Sequence, residues 1–409
     1  MLLIIGGTSA IGFYMAWSIG ANDVANSMAS AVGAKAITFK QAVLIAGVLN
    51  FIGAVFVGEH VVETVKGGIV EISMIPCGNV LLLGFVSSLL AAAIWVTLST
   101  WYEMPISTTH SIIGALIGFG IIASGISCVK WGKVGSVAAS WILSPLFGCI
   151  IAFLVFKLIV KLIFAKERPV ESAKIVGPFI IGITAFLIVS SLLLKTSLSE
   201  KLGIVEMPHI ILLSVIISAI VIVLSILRFR KIVAKGPEDY ATVESIFRKL
   251  QIGTSCYVAF AHGANDVANA IGPVAAIIPL AEKGAMDPTA MVPYWLLALG
   301  GVGIAIGCLT WGKRVMRTVG ERITSLTNTR GFSVDFGAAT TVLVASKLGL
   351  PISTSHTVVG AVIGVGLARG LEAVDLSVIK KIIYSWLLTL PVAAGTSIAI
   401  FLCLQYIFI

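Results

Sequence analysis

The chain has 409 residues, 58% of them hydrophobic and 11% charged, with a formal charge of +9. A soluble domain is roughly one quarter charged, so this chain cannot cover a soluble surface and most of it must face lipid. The basic excess does not point to nucleic acid, because Lys and Arg sit between apolar runs, where the positive-inside rule expects them.

Twelve hydrophobic segments follow in chain order, near 1–32, 40–60, 79–100, 105–125, 136–164, 175–194, 208–228, 248–280, 292–309, 333–349, 351–370 and 380–408. Runs such as Val80–Leu98, Val176–Leu194 and Ile210–Leu227 are about as long as the ~20 residues that span a bilayer. Met1–Ala16 lacks a basic n-region and runs into a polar motif, so it is predicted as a mature helix rather than a signal peptide. The first and eighth segments are long and interrupted by polar motifs, which predicts a broken helix in each. The six cysteines (Cys77, Cys128, Cys149, Cys256, Cys308, Cys403) have no metal-ligand spacing and are expected as small buried side chains. His60, His209 and His262 are each expected to stand alone.

The chain repeats itself. Gly20-Ala21-Asn22-Asp23-Val24-Ala25-Asn26 recurs unchanged as Gly263-Ala264-Asn265-Asp266-Val267-Ala268-Asn269. Pro105-Ile106-Ser107-Thr108-Thr109-His110 recurs as Pro351-Ile352-Ser353-Thr354-Ser355-His356, and Ser140-Trp141 as Ser385-Trp386. The copies keep their order and nearly their spacing. They lie seven segments apart, an odd number, so they cross the membrane in opposite directions. The predicted fold is therefore an all-α polytopic membrane protein with about 12 transmembrane helices. Two inverted repeats of five spans, 1–165 and 248–409, flank a two-helix linker at 166–247, and broken or re-entrant helices meet at the midplane. With both termini outside, 21 of the 28 Lys and Arg residues fall on the cytoplasmic side, as positive-inside topology requires.

A carboxylate inside a span costs at least ~2.5 kcal/mol and is a functional candidate by default. Asp23 and Asp266 are such carboxylates. Asn22 and Asn26, like Asn265 and Asn269, share a helix face with or beside them. Their oxygens suit a hard cation such as Na⁺, and Gly20 and Gly263 could open the backbone to add carbonyls.

The Pro-Ile-Ser-Thr motifs read as helix starts, with Pro in the first turn and a hydroxyl cap. A helix start binds anions through its free N–H groups. Ser107, Thr108 and Thr109, with Ser353, Thr354 and Ser355, add hydroxyl donors. The predicted oxyanion site joins these six residues to Asn26, Asn269, Asp23 and Asp266. The predicted sodium ligands are Asn22, Asp23, Asn26, Asn265, Asp266 and Asn269, with Ser107 and Ser353. His110 and His356 are expected to support the site from behind. Glycines around Gly114, Gly118, Gly120, Gly360, Gly364 and Gly366 are expected to let helices pack closely.

Neither motif pair contains Lys or Arg. A divalent anion beside two carboxylates would be uncompensated in a low dielectric. Cations must enter with it, which predicts symport. A close carboxylate also accepts a hydrogen bond from a protonated phosphate oxygen and repels fully ionised sulfate, so phosphate is favoured over sulfate. The alternatives are H⁺ coupling, sulfate or another oxyanion as substrate, a channel, or an intramembrane phosphate-processing enzyme that would use Asp23, Asp266, His110 and His356.

The duplicated motifs resemble the signatures of the inorganic phosphate transporter (PiT) family, and the resemblance covers essentially the whole chain. It implies cation-coupled phosphate uptake, with H⁺ or metal–phosphate as the alternative coupling of similar bacterial proteins, twelve spans, both termini outside, and substrate and ion binding on the motif residues named above. Animal members carry a large hydrophilic loop between the halves. Here Arg228 to Lys249 is only a short basic stretch, which implies a prokaryotic source. Asn50 stands where the resemblance leads one to expect an acidic residue. The expected partners are inorganic phosphate, Na⁺ as co-transported ion and the lipid bilayer of the cell membrane. No organic cofactor and no nucleic acid are expected, and a homodimer is compatible with the sequence.

Overall fold

The computed structural model describes residues 2–58, 69–75, 78–195, 199, 203–204, 206–234, 236, 239–283, 292–347 and 353–408. His60, Cys77, Pro351 and Ile352 lie outside the described residues. Among the described residues the chain has thirteen α-helices and no β-strand. In order they are α1 (Leu2–Gly33), α2 (Phe39–Val57), α3 (Asn79–Trp101), α4 (Thr108–Ser124), α5 (Trp131–Ile159), α6 (Pro169–Lys195), α7 (Met207–Phe229), α8 (Tyr240–Lys283), α9 (Tyr294–Trp311), α10 (Lys313–Arg317), α11 (Asn328–Lys347), α12 (Thr354–Leu367) and α13 (Leu376–Phe408).

Each of the twelve hydrophobic segments is helical, and α10 is a short addition after α9. Eight helices (α1, α2, α3, α5, α6, α7, α9 and α13) are long and apolar enough to cross a membrane. The α4 and α12 helices are apolar but shorter. The α7 helix exposes Leu212, Ile220, Val223 and Leu224. A helix that shows such side chains on its surface is a lipid-facing one.

The sequence predicts helix breaks at the Gly-Ala-Asn-Asp motifs. The structure corrects this: α1 and α8 run unbroken through Gly20 and Gly263. A Cβ at Gly20 would stand 2.0 Å from the Ile304 carbonyl oxygen, and one at Gly263 2.1 Å from that of Asn50. These glycines admit a neighbouring backbone rather than unwinding their own helix. A non-helical stretch lies instead between α3 and α4, and α12 starts anew from an extended cap residue, Ser353. On the first side the chain leaves the helix at Tyr102, and Pro105 keeps the residue before it extended. Pro105 thus stands two residues before the Ser107 cap, not in the first helical turn as predicted.

The halves pack in matching ways. The α1–α9 contact has its counterpart in α8–α2, and α4–α13 in α12–α5. The match reaches single residues. A Cβ at Gly118 would meet the Ala394 carbonyl oxygen at 2.3 Å, and one at Gly364, its repeat counterpart, would meet that of Cys149 at 2.1 Å. Cys149 and Ala394 occupy equivalent places in α5 and α13. The sequence repeat is therefore also a repeat of interhelical contacts, and it brings α1, α4, α8 and α12 to one buried centre.

Candidate functional site

The centre is built from two continuous helices and two helix starts. On α1, Asp23 and Asn26 are buried and three residues apart, which puts them on one face. Asn26 donates through Nδ2 to Asp23 Oδ1 at 3.2 Å. On α8, Asn265 and Asn269 donate to Asp266 Oδ1 at 2.9 and 3.5 Å.

The helix starts are capped by serine. Ser107 Oγ accepts the His110 backbone N–H at 3.2 Å, and Ser353 Oγ accepts that of His356 at 3.3 Å. This leaves the N–H groups of Thr108, Thr109, Thr354 and Ser355 without an intrahelical acceptor. Such a terminus carries a partial positive charge.

The two halves meet on Asp23. Its Oδ2 accepts from Thr108 Oγ1 at 2.7 Å, and its Oδ1 accepts from Ser355 Oγ at 3.2 Å. One carboxylate thus holds hydroxyls from both helix starts. The asparagines cross over reciprocally: Asn26 Nδ2 donates to Ser355 Oγ at 2.9 Å, and Asn269 Nδ2 donates to Thr109 Oγ1 at 3.0 Å.

The remaining predicted residues divide. Asn22 is buried and fully engaged with the end of α3 and the loop before α4. It donates to Thr100 Oγ1 at 2.9 Å and to the Met104 carbonyl at 3.1 Å, and it accepts from the Ile106 N–H at 3.3 Å. Its counterpart Asn265 is exposed. Thr354 is half-buried at the α12 start. Ser107 and Ser353 spend their oxygens on the caps. His110 and His356 lie behind the helix starts, buried, in ring contact with each other.

His262 does not stand alone. Its Nε2 lies 2.5 Å from Asp266 Oδ2 and 3.8 Å from Asp23 Oδ2. Its Nδ1 lies 2.9 Å from Asn50 Oδ1. Asn50 Nδ2 donates to the Ala46 carbonyl at 2.8 Å, so its oxygen is the atom that faces the ring. One polar atom from each of Asp23, His262 and Asp266 lies within 4.8 Å of the others, all three residues buried. The repeat hides this residue, because Ile19 fills the matching place in α1. The available signal was its position one turn before Asp266. Replacing His262 by Gln removes the one ion-pair partner of both carboxylates among the described residues. Uptake by reconstituted protein is then expected to fall at least about tenfold.

A third buried carboxylate was also missed. Asp335 on α11 accepts from Ser30 Oγ at 2.5 Å, Ser255 Oγ at 2.6 Å and Thr254 Oγ1 at 3.2 Å, tying α11 to α1 and α8.

Chemically, Asp23 and Asp266 with nearby amide and hydroxyl oxygens form a donor set for a hard cation. The two helix starts form a donor set for an anion.

The profile of the phosphate transporter family matches residues 19–397. The chain is 53% identical to a Thermococcus kodakarensis protein described as a candidate phosphate permease, over 98% of this chain and 97% of that one. It is 40% identical to a chloroplastic inorganic phosphate transporter of Arabidopsis thaliana, over 96% of this chain and 70% of that one. Among solved structures it resembles a sodium-dependent phosphate transporter at 47% identity, with a TM-score of 0.89 over 99% of this chain and all of that one. These proteins transport rather than convert their substrate, which sets aside the enzyme reading. A profile over most of the chain and relatives of this identity leave one conclusion: this multi-pass membrane protein belongs to the phosphate transporter family.

Proposed function

We propose that this protein imports inorganic phosphate by symport with Na⁺, through alternating access between two inverted repeats. The repeats are residues 1–165 and 248–409, joined by 166–247, in a cell membrane with both termini outside. Phosphate sits at the starts of α4 and α12, on Thr108, Thr109, Thr354 and Ser355, with Asn26 and Asn269 alongside. Na⁺ sits on Asp23 and Asp266, with amide and hydroxyl oxygens completing its shell. The Na⁺ charge offsets the carboxylates, so the anion can approach them.

One observation carries this reading: Asp23 bonds at once to Thr108 and to Ser355. A cation-binding group in one half is thereby linked to the anion-binding groups of both. The name of the sodium-dependent structural neighbour supports the choice of ion.

H⁺ coupling is the second reading, favoured by His262 standing 2.5 Å from Asp266. Labelled-phosphate uptake into proteoliposomes decides between them. An inward Na⁺ gradient should drive accumulation with the pH clamped. Accumulation that follows a proton gradient and ignores Na⁺ supports the second reading, and uptake indifferent to both gradients refutes symport.

A further inference from the structure

His110 and His356 occupy the same position in their helices, three residues after the cap serine, and their backbone N–H groups close the caps. Their side chains then meet across the junction of the halves. The rings lie edge to face, with centroids 5.0 Å apart and planes at 78°. Trp386 stacks on His356 at 3.8 Å and 23°, and Trp141 leans on His110 at 5.7 Å and 52°. A row of four rings, Trp141–His110–His356–Trp386, therefore runs directly behind the two helix starts. Trp386 Nε1 donates to the Pro105 carbonyl at 3.0 Å, which fastens the second-half end of the row to the first-half motif.

Among the described residues, neither ring nitrogen of His356 has a hydrogen-bond partner, although the residue is fully buried. Buried polar atoms of this kind normally find partners. The ring is thus placed by its shape, and its nitrogens stay idle. An imidazole has five ring atoms against six in a phenyl. The His356 ring has Trp386 stacked on one side and His110 edge to face on the other.

From this we infer that His110 and His356 are positioning residues whose ring contact sets the separation of the α4 and α12 starts, and with it the size of oxyanion the carrier accepts. The inference rests on the reading of those helix starts as the phosphate site. Neither histidine touches the anion. Each acts through the backbone N–H groups and hydroxyls that its own helix start presents. The spacing matters because a tetrahedral anion must reach donors on both helices at once, and hydrogen bonds weaken steeply outside their preferred length.

The test compares the KM for labelled phosphate with the Ki of arsenate, a slightly larger tetrahedral anion. Full-length wild type, His110→Phe, His356→Phe and His356→Ala are measured in proteoliposomes, with thermal unfolding recorded alongside. In the Phe variants the extra ring atom forces the starts apart. Phosphate KM should rise about tenfold while arsenate Ki rises far less, because overpacking a tight contact costs on this scale. His356→Ala leaves the spacing undefined, and it serves even if the Phe variants do not fold. In every variant that folds, the ratio of arsenate Ki to phosphate KM should fall toward one, with Vmax per folded carrier little changed. A merely structural role lowers Vmax or the unfolding temperature and leaves that ratio alone, and an unchanged ratio overturns the inference. Its failure is separable from failure of the parent reading. A Thr108→Val variant that loses phosphate affinity beside histidine variants of unchanged ratio sinks only the spacing claim. A wild type without saturable phosphate uptake sinks both.

Discussion

Asp23→Asn is expected to abolish coupled phosphate uptake, by at least about 100-fold, in a protein that still folds. The estimate follows from what the carboxylate holds. Asp23 accepts from Thr108, Ser355 and Asn26, which come from both repeats. Hydrogen bonds to a charged group contribute about 1.5–3 kcal/mol each, and 1.4 kcal/mol is a factor of ten. Two such bonds weakened in the transported state suffice for the stated loss. Asparagine keeps the size of the side chain, so the packing survives, but it removes the charge that attracts a cation. Sodium-dependent uptake in proteoliposomes, with unfolding temperature as the control, checks this. Asp266→Asn should behave alike, since Asp266 faces the same His262. Near-normal uptake in either variant would contradict the assigned role.

The second large effect is steric and comes in matched pairs. Gly118→Val and Gly364→Val should each abolish the folded carrier. A Cβ at either place would overlap a carbonyl oxygen of the opposite half, at 2.3 and 2.1 Å. Neither contact is with a flexible side-chain end. The α4–α13 and α12–α5 pairs would have to separate, and each buries a helix that opens with a serine cap. Forcing extra volume into such a contact costs several kcal/mol when the backbone cannot yield, against a total stability of only about 5–15 kcal/mol. The readout is monodisperse protein recovered in detergent. Gly395→Val is the control, because nothing lies within 4 Å of its Cβ position. Similar losses in both halves, with a tolerant control, would show that the repeat is one of packing as well as of sequence.

Much of the centre is legible in the sequence, for a definite reason. Duplication preserved Asp23 and Asp266, Asn26 and Asn269, and the two Ser-Thr starts, so a motif seen twice marked itself. Whatever the repeat does not share stayed hidden. His262 faces both carboxylates, yet its counterpart is Ile19, and comparing the halves makes it look incidental. Asp335 has no acidic counterpart, and its partners Ser30, Thr254 and Ser255 lie on two other helices. Only tertiary packing reveals that cluster.

The misplaced breaks have a different cause. A glycine beside polar residues can unwind its own helix or receive another, and local sequence does not distinguish the two. Ile304 and Asn50 decide it for Gly20 and Gly263, and both lie far away in the chain. Pro suits a first helical turn, so the sequence predicts Pro105 there. Ser107 takes the cap instead, and the five residues 102–106 carry the chain out of α3.

Equilibrium binding of labelled phosphate to the purified protein tests most directly whether acidic side chains from both repeats recruit the cation that lets the helix starts hold an oxyanion. With Na⁺ present the wild type should retain phosphate, and replacing Na⁺ by choline should release it. The Asp23→Asn and Asp266→Asn variants should fail to retain it in either medium. Phosphate bound equally well in choline, or by the double variant, would contradict the account.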